Sequence, residues 1–237
     1  MTDWVMAGRL RSVFFHTLCG ALALALWLSP AAALGGADGP PLRILAFGDS
    51  LVHGYGLAAD ETFPVQLERA LQREGYRVEV LNGGNSGDTT AAGLARLDWA
   101  LMDQPDLAIV EFGANDGLRG IDPAETYRNL DAILDRLKAA DVDVLLTGML
   151  APRNLGGDYA QAFDAVFPRL AEAHGVAFYP FFLDGVAMQP ELNQADGIHP
   201  NAAGVAMLVE RILPSVVQLI DTHVEDAGDR NAGVADG

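Results

Sequence analysis

The spacing of apolar residues changes period several times along the chain, and each change marks an element. Leu42 to Phe47 is a nearly unbroken apolar run, the pattern of a parallel strand buried on both faces. From Glu61 to Glu74 the apolar positions fall at helical spacing (Phe63, Val65, Leu67, Ala70, Leu71), with Pro64 tolerated in the first turn and Gly75 as the stop. Val78 to Leu81 predicts a second strand leading into a glycine-rich loop, Asn82 to Thr89, where Asp88 or Thr89 can cap a helix reaching about Met102. Leu107 to Phe112 predicts a third strand opening into Gly113-Ala-Asn-Asp-Gly117. A helix over about Pro123 to Ala140 carries Leu130, Ile133, Leu134 and Leu137 on one face. Val142 to Leu150 predicts a fourth strand, followed by the loop Ala151 to Gly157 and a helix from about Tyr159 to His174. A short strand, Val176 to Tyr179, and a last helix from Asn201 to about Ile220 complete the pattern.

Strands alternating with helices predict an α/β domain: an open, mostly parallel sheet with helices on both faces. In such sheets ligands bind beyond the carboxyl ends of the strands. The polar loops after the first three strands all leave from that edge.

The ends of the chain read differently. Residues 1–33 have a secretory leader's pattern: Arg9 and Arg11, then the apolar run Val13 to Leu28, then Pro30 and the small residues Ala31-Ala32-Ala33. A retained anchor would use about 20 apolar residues, and the small-residue site favours cleavage, leaving no stable membrane anchor and a periplasmic or secreted protein. Residues 34–41 read as a linker, 42–220 as the domain, and 221–237 as a disordered acidic tail. The single cysteine, Cys19, lies in the leader, so the mature chain can hold no disulfide, thiolate nucleophile or thiolate metal site. A formal charge of −17 argues against nucleic acid and anionic membrane surfaces as partners.

Candidate chemistry narrows to a few residues. Beyond the leader only Ser50, Ser86 and Ser215 remain, and Ser50 alone sits where a strand turns sharply and lifts a hydroxyl off the sheet. The plain alternative is that Asp49-Ser50 makes a turn or caps a helix. The G-x-S-x-G elbow of the α/β-hydrolases is absent. Of the histidines, His223 falls in the tail and His174 at a helix end, where a cation is favoured anyway. His53 competes by lying three residues after Ser50, but His199 has Asp196 three residues before it and Gly197 to tighten the turn. An aspartate so placed can fix the imidazole tautomer while the other ring nitrogen faces a serine. Taken alone, that spacing also fits a surface turn. Donors for a developing oxyanion are the Ser50 and Gly87 backbone N–H groups and the Asn115 carboxamide; as turn residues, Gly87 and Asn115 have ordinary readings too. None of this chemistry calls for a metal or cofactor.

The blocks GDSLVHGYG, NSGDTT, FGAND and DGIHP resemble the four conserved blocks of the SGNH, or GDSL, hydrolases, over about Arg43 to Ala203. The similarity is greatest to the bacterial periplasmic branch of acyl-thioesterases, lysophospholipases and arylesterases. It implies a flavodoxin-like three-layer sandwich with a five-stranded parallel sheet in the order 2-1-3-4-5. It also implies Ser50 as nucleophile, His199 as base oriented by Asp196, and Ser50, Gly87 and Asn115 as the oxyanion hole. Ala151 to Tyr159 is similar to that branch's substrate loop, with Pro152, Asn154 and Gly156 matching its pattern. His53 departs from it, standing where the branch has a small residue. The expected activity is hydrolysis of lysophospholipid, aryl or short-chain acyl esters, with acyl thioesters as further substrates, and the expected partners are small-molecule or lipid esters, with the protein a monomer. The alternatives are O-deacetylation of carbohydrate or cell wall within the same family, and a non-catalytic flavodoxin-like binding module.

Overall fold

The apolar runs pair side by side as five parallel strands, β1 (Leu42–Gly48), β2 (Val78–Gly84), β3 (Leu107–Glu111), β4 (Asp143–Thr147) and β5 (Ala177–Tyr179), in the order β2-β1-β3-β4-β5. The computed structural model describes residues 40–235, with side chains to residue 229, so the leader expected over residues 1–33 lies outside the described residues. Register does the positioning. Gly48 pairs with Gly84 on one side and Glu111 on the other, so three strands end level and release their loops onto one rim.

Eight helices flank the described sheet: α1 (Ser50–His53), α2 (Phe63–Arg73), α3 (Thr90–Leu101), α4 (Ala114–Leu118), α5 (Pro123–Ala139), α6 (Gly157–Asp164), α7 (Val166–His174) and α8 (Ala202–Ala235). α2 packs on α8, while α3, α5 and α7 pack in series as the other layer. The sheet carries Ile44, Phe47, Ile109 and Leu145 between them, all buried, and Phe63, Phe112, Phe163 and Phe182 fill the layers. Each such side chain contributes about 1.5–3 kcal/mol on burial. α8 is long and apolar enough to span a membrane by composition. Its Val205, Leu208, Ile212, Val216 and Ile220 are nevertheless buried in this core.

Four expectations need correction. The fourth strand ends at Thr147, short of Leu150, because Gly148 turns to meet Pro180 so closely that a Cβ there would lie 2.1 Å from its carbonyl oxygen. The helix expected over Tyr159 to His174 starts at Gly157 and breaks at Ala165 into α6 and α7. The loops after the first and third strands each contain a short helix, α1 and α4. The last helix does not stop near Ile220 but continues to Ala235. Contacts the sequence pattern does not show hold that extension: Asp221 accepts from the Tyr76 hydroxyl at 3.0 Å, and His223 Nδ1 lies 2.7 Å from Asp143 Oδ2.

Candidate active site

Ser50 stands two residues past the end of β1. It is the first residue of α1, and Asp49 caps that helix, its Oδ1 accepting from Leu51 N at 3.0 Å. The turn-and-cap reading of Asp49-Ser50 is therefore correct, and it leaves the Ser50 hydroxyl facing the histidine loop. The opposite side of the rim comes from the far end of the chain. Gly197 adopts φ +71°, and the tight turn lets Asp196 Oδ1 accept from the backbone N–H groups of Ile198 (2.9 Å) and His199 (3.0 Å). Asp196 Oδ2 then lies 2.7 Å from His199 Nδ1, and His199 Nε2 lies 2.9 Å from Ser50 Oγ. With the Nδ1 proton donated to the carboxylate, Nε2 is left to accept from the serine hydroxyl. The His199 bond, with help from the two backbone donors, holds the Asp196 carboxyl down to about 2.

Loop-to-loop bonds fix this rim. Gln194 donates through Nε2 to the carbonyls of Tyr55 (2.7 Å) and Pro200 (2.9 Å), tying the histidine loop to the segment just after the serine. Gly56 makes room, since a Cβ there would meet Gln194 Oε1 at 2.2 Å. The Tyr55 ring leans on the His199 imidazole at 4.7 Å between centroids. Arg96 lies over Phe47, donates to Gly48 O (2.8 Å) and pairs with Asp88 (2.6 Å), so β1 and the second loop are joined. Thr89, rather than Asp88, caps α3.

The proposed oxyanion donors sit on the same rim. Gly87 takes φ +86°, and its carbonyl accepts from Arg119 Nη2 at 2.8 Å. Among the described residues no acceptor takes the backbone N–H of Ser50 or Gly87. Asn115 is in the first turn of α4, and its Nδ2 donates to Asp49 Oδ2 at 2.9 Å. Asp116 beside it is buried and accepts from Thr90 N (2.9 Å) and Thr126 Oγ1 (3.2 Å), which sets the roll of that short helix. Pro152, Asn154 and Gly156 lie in a 3-10 turn leaning on α4: a Cβ at Gly117 would lie 3.3 Å from Pro152 Cδ. Asp164 pins the segment through Ala151 N (2.9 Å) and Arg153 (2.7 Å). His53 is exposed, turned to the Gly84 carbonyl at 3.3 Å and away from the serine–histidine contact.

Two carboxyls beneath the serine escaped the sequence reading as site residues. Asp49 is fully buried, which pushes its carboxyl up to about 6 against the pull of Leu51 N and Asn115. Glu111 behind it is also fully buried, and desolvation first, then the Asp49 charge, holds it well above the usual carboxylate range. A glutamate closing the apolar run Leu107 to Val110 was the available signal. Gln194 had none.

The arrangement can transfer an acyl group: a hydroxyl on an imidazole, the imidazole on a carboxylate, with backbone and amide donors nearby. Comparisons with known proteins point the same way. Residues 46–207 match the model of the GDSL-like Lipase/Acylhydrolase family. The chain is 39% identical over 204 residues to Esterase TesA of Pseudomonas aeruginosa, covering 86% of this chain and 98% of that one. It is 42% identical over 159 residues to Thioesterase 1/protease 1/lysophospholipase L1 of Escherichia coli K12, covering 67% and 75%. Among solved structures, AlinE4, an SGNH-hydrolase family esterase, is 48% identical with a TM-score of 0.65, covering 76% of this chain and 97% of that one.

Proposed function

Since the chain belongs to the GDSL-like lipase/acylhydrolase family, we propose that it is a serine esterase acting through an acyl-Ser50 intermediate. The observation that carries the assignment is the 2.9 Å contact between His199 Nε2 and Ser50 Oγ, with Asp196 on the far side of the ring. Ser50 Oγ attacks the ester carbonyl as its proton passes to His199 Nε2. The new oxyanion takes hydrogen bonds from Ser50 N, Gly87 N and Asn115 Nδ2, each worth about 3 kcal/mol in the transition state. Collapse breaks the acyl–oxygen bond, and the imidazolium returns its proton to the leaving alcohol. Water then repeats the sequence on the acyl-serine, releasing the acid. General acid–base transfer contributes about 10²–10⁴-fold.

Aryl, lysophospholipid and short-chain oxyesters suit the site better than acyl-CoA. A chain of charge −17 repels a polyanionic leaving group, and the leader-like residues 1–33 support export to the periplasm or medium. Exposed Tyr55, Ile198 and Leu155 offer apolar contact beside the serine or on the substrate loop. Pro152, Asn154 and Gly156 serve as that loop. The test is a pre-steady-state burst of chromophore from an aryl ester, equal to one per chain and abolished by a serine-reactive phosphonate bonded to Ser50. Labelling elsewhere, or turnover that survives labelling, would overturn the reading.

A further inference from the structure

Glu111 is the least explained group near the site. Its side chain is fully buried at the end of β3, its Oε2 accepts only the Asp49 N–H (3.3 Å), and its Oε1 is buried with no donor among the described residues. Burying an ionised carboxylate with an undonated oxygen costs far more than burying the neutral acid. Asp49 differs: Leu51 N and Asn115 Nδ2 both donate to it, and His199 lies close enough to favour its charge. The Asp49 N–H on Glu111 Oε2 sets the two buried carboxyls side by side, so one proton suffices for the pair and belongs on Glu111, the one with fewer donors. The fold makes room for this arrangement. A Cβ at Gly48 would stand 2.6 Å from Glu111 Oε2, so the glycine before Asp49-Ser50 admits the carboxyl.

We propose that Glu111 is a positioning residue that stays protonated beneath the site and, by hydrogen-bonding Asp49, fixes the Asn115 carboxamide as an oxyanion donor. Asp49 takes one Asn115 amide hydrogen and leaves the other for the substrate oxygen. The inference rests on the esterase reading for its catalytic part only. The other charged groups around the pair are occupied: Arg96 with Asp88 and Gly48 O, Asp116 with Thr90 and Thr126, and His199 with Asp196.

A protonated Glu111 must release its proton when the chain unfolds at neutral pH. Stability held by such a group is fully present below its unfolded pKa, ordinarily 4.5, and is lost as pH rises toward its higher folded value. Each proton so released raises the unfolding constant about tenfold per pH unit. Urea unfolding of the full chain between about pH 6 and 8 should therefore show wild type one proton steeper than Glu111→Gln, whose amide supplies a permanent donor to Asp49. Parallel slopes would mean an ionised Glu111 and end the proposal, whether or not the protein hydrolyses esters. In aryl-ester assays Glu111→Leu should lower kcat at least tenfold with KM within twofold, and Glu111→Gln should recover kcat to within about threefold of wild type. Equal losses in the two variants, or a loss confined to KM, would overturn the positioning role. If Glu111→Leu does not fold, the Gln variant's slope and kcat still decide the matter.

Discussion

Among the described residues, three histidine–aspartate contacts of the same length, 2.7 Å, occur at the two edges of this sheet, and one of the three meets a hydroxyl. His174 closes α7 against Asp131 of α5, with Asp135 at 3.7 Å from its other nitrogen. His223 on α8 reaches Asp143, the first residue of β4. Both lie at the amino-end side of the strands, His174 at the end of α7, where a cation gains from the last carbonyls, and His223 within α8. Asp196–His199 lies at the carboxyl edge, in a loop facing Ser50. The interaction is the same in all three, but the surroundings differ, and a serine hydroxyl comes within reach only where strands end and loops converge.

Removing the imidazole should divide the edges most sharply. His199→Ala should lower kcat for an aryl ester by at least about 10³-fold, while His174→Ala and His223→Ala stay within twofold; comparable losses at all three would erase the distinction. Asp196→Asn should cost less, about 10²-fold in kcat, because the carboxylate is partly exposed and water can replace some of its effect. That substitution carries a stability signature as well. The Asp196 carboxyl is depressed to about 2 from 3.8, so its contribution is present above the ordinary value and lost as pH falls from about 4 to 2. Acid unfolding of Asp196→Asn should lack that step. Gln194→Ala, which cuts the tether between the two loops, should lower kcat a further notch down the scale, about tenfold, with far-UV dichroism unchanged. His53→Ala should change turnover less than twofold, since its ring is turned toward Gly84.

The strands and long helices were legible because burial on both faces writes continuous apolar runs and burial on one face writes helical spacing. The contact among Ser50, Asp196 and His199 was legible for a different reason: strand-end placement and a three-residue aspartate–histidine spacing carry geometric meaning before any contact is known. Short helices were not, because four or five residues such as Ser50–His53 and Ala114–Leu118 complete no apolar period. The helical extension past Ile220 was missed for a tertiary reason, anchors at Tyr76 and Asp143 that lie far away in sequence. Gln194 was invisible for the same cause: its worth is a bond to Tyr55, 139 positions earlier. Glu111 was in plain view as a charge ending a buried strand, and what hid it was the assumption that site residues face outward.

The serine and the histidine that touches it are separated by 149 positions. All four later strands, β2 to β5, lie in the sequence between them, so the contact joins the two ends of the folded domain. Ester turnover during refolding should accordingly lag the recovery of helix and sheet, making catalysis a clock for the final closure of the chain upon its own beginning.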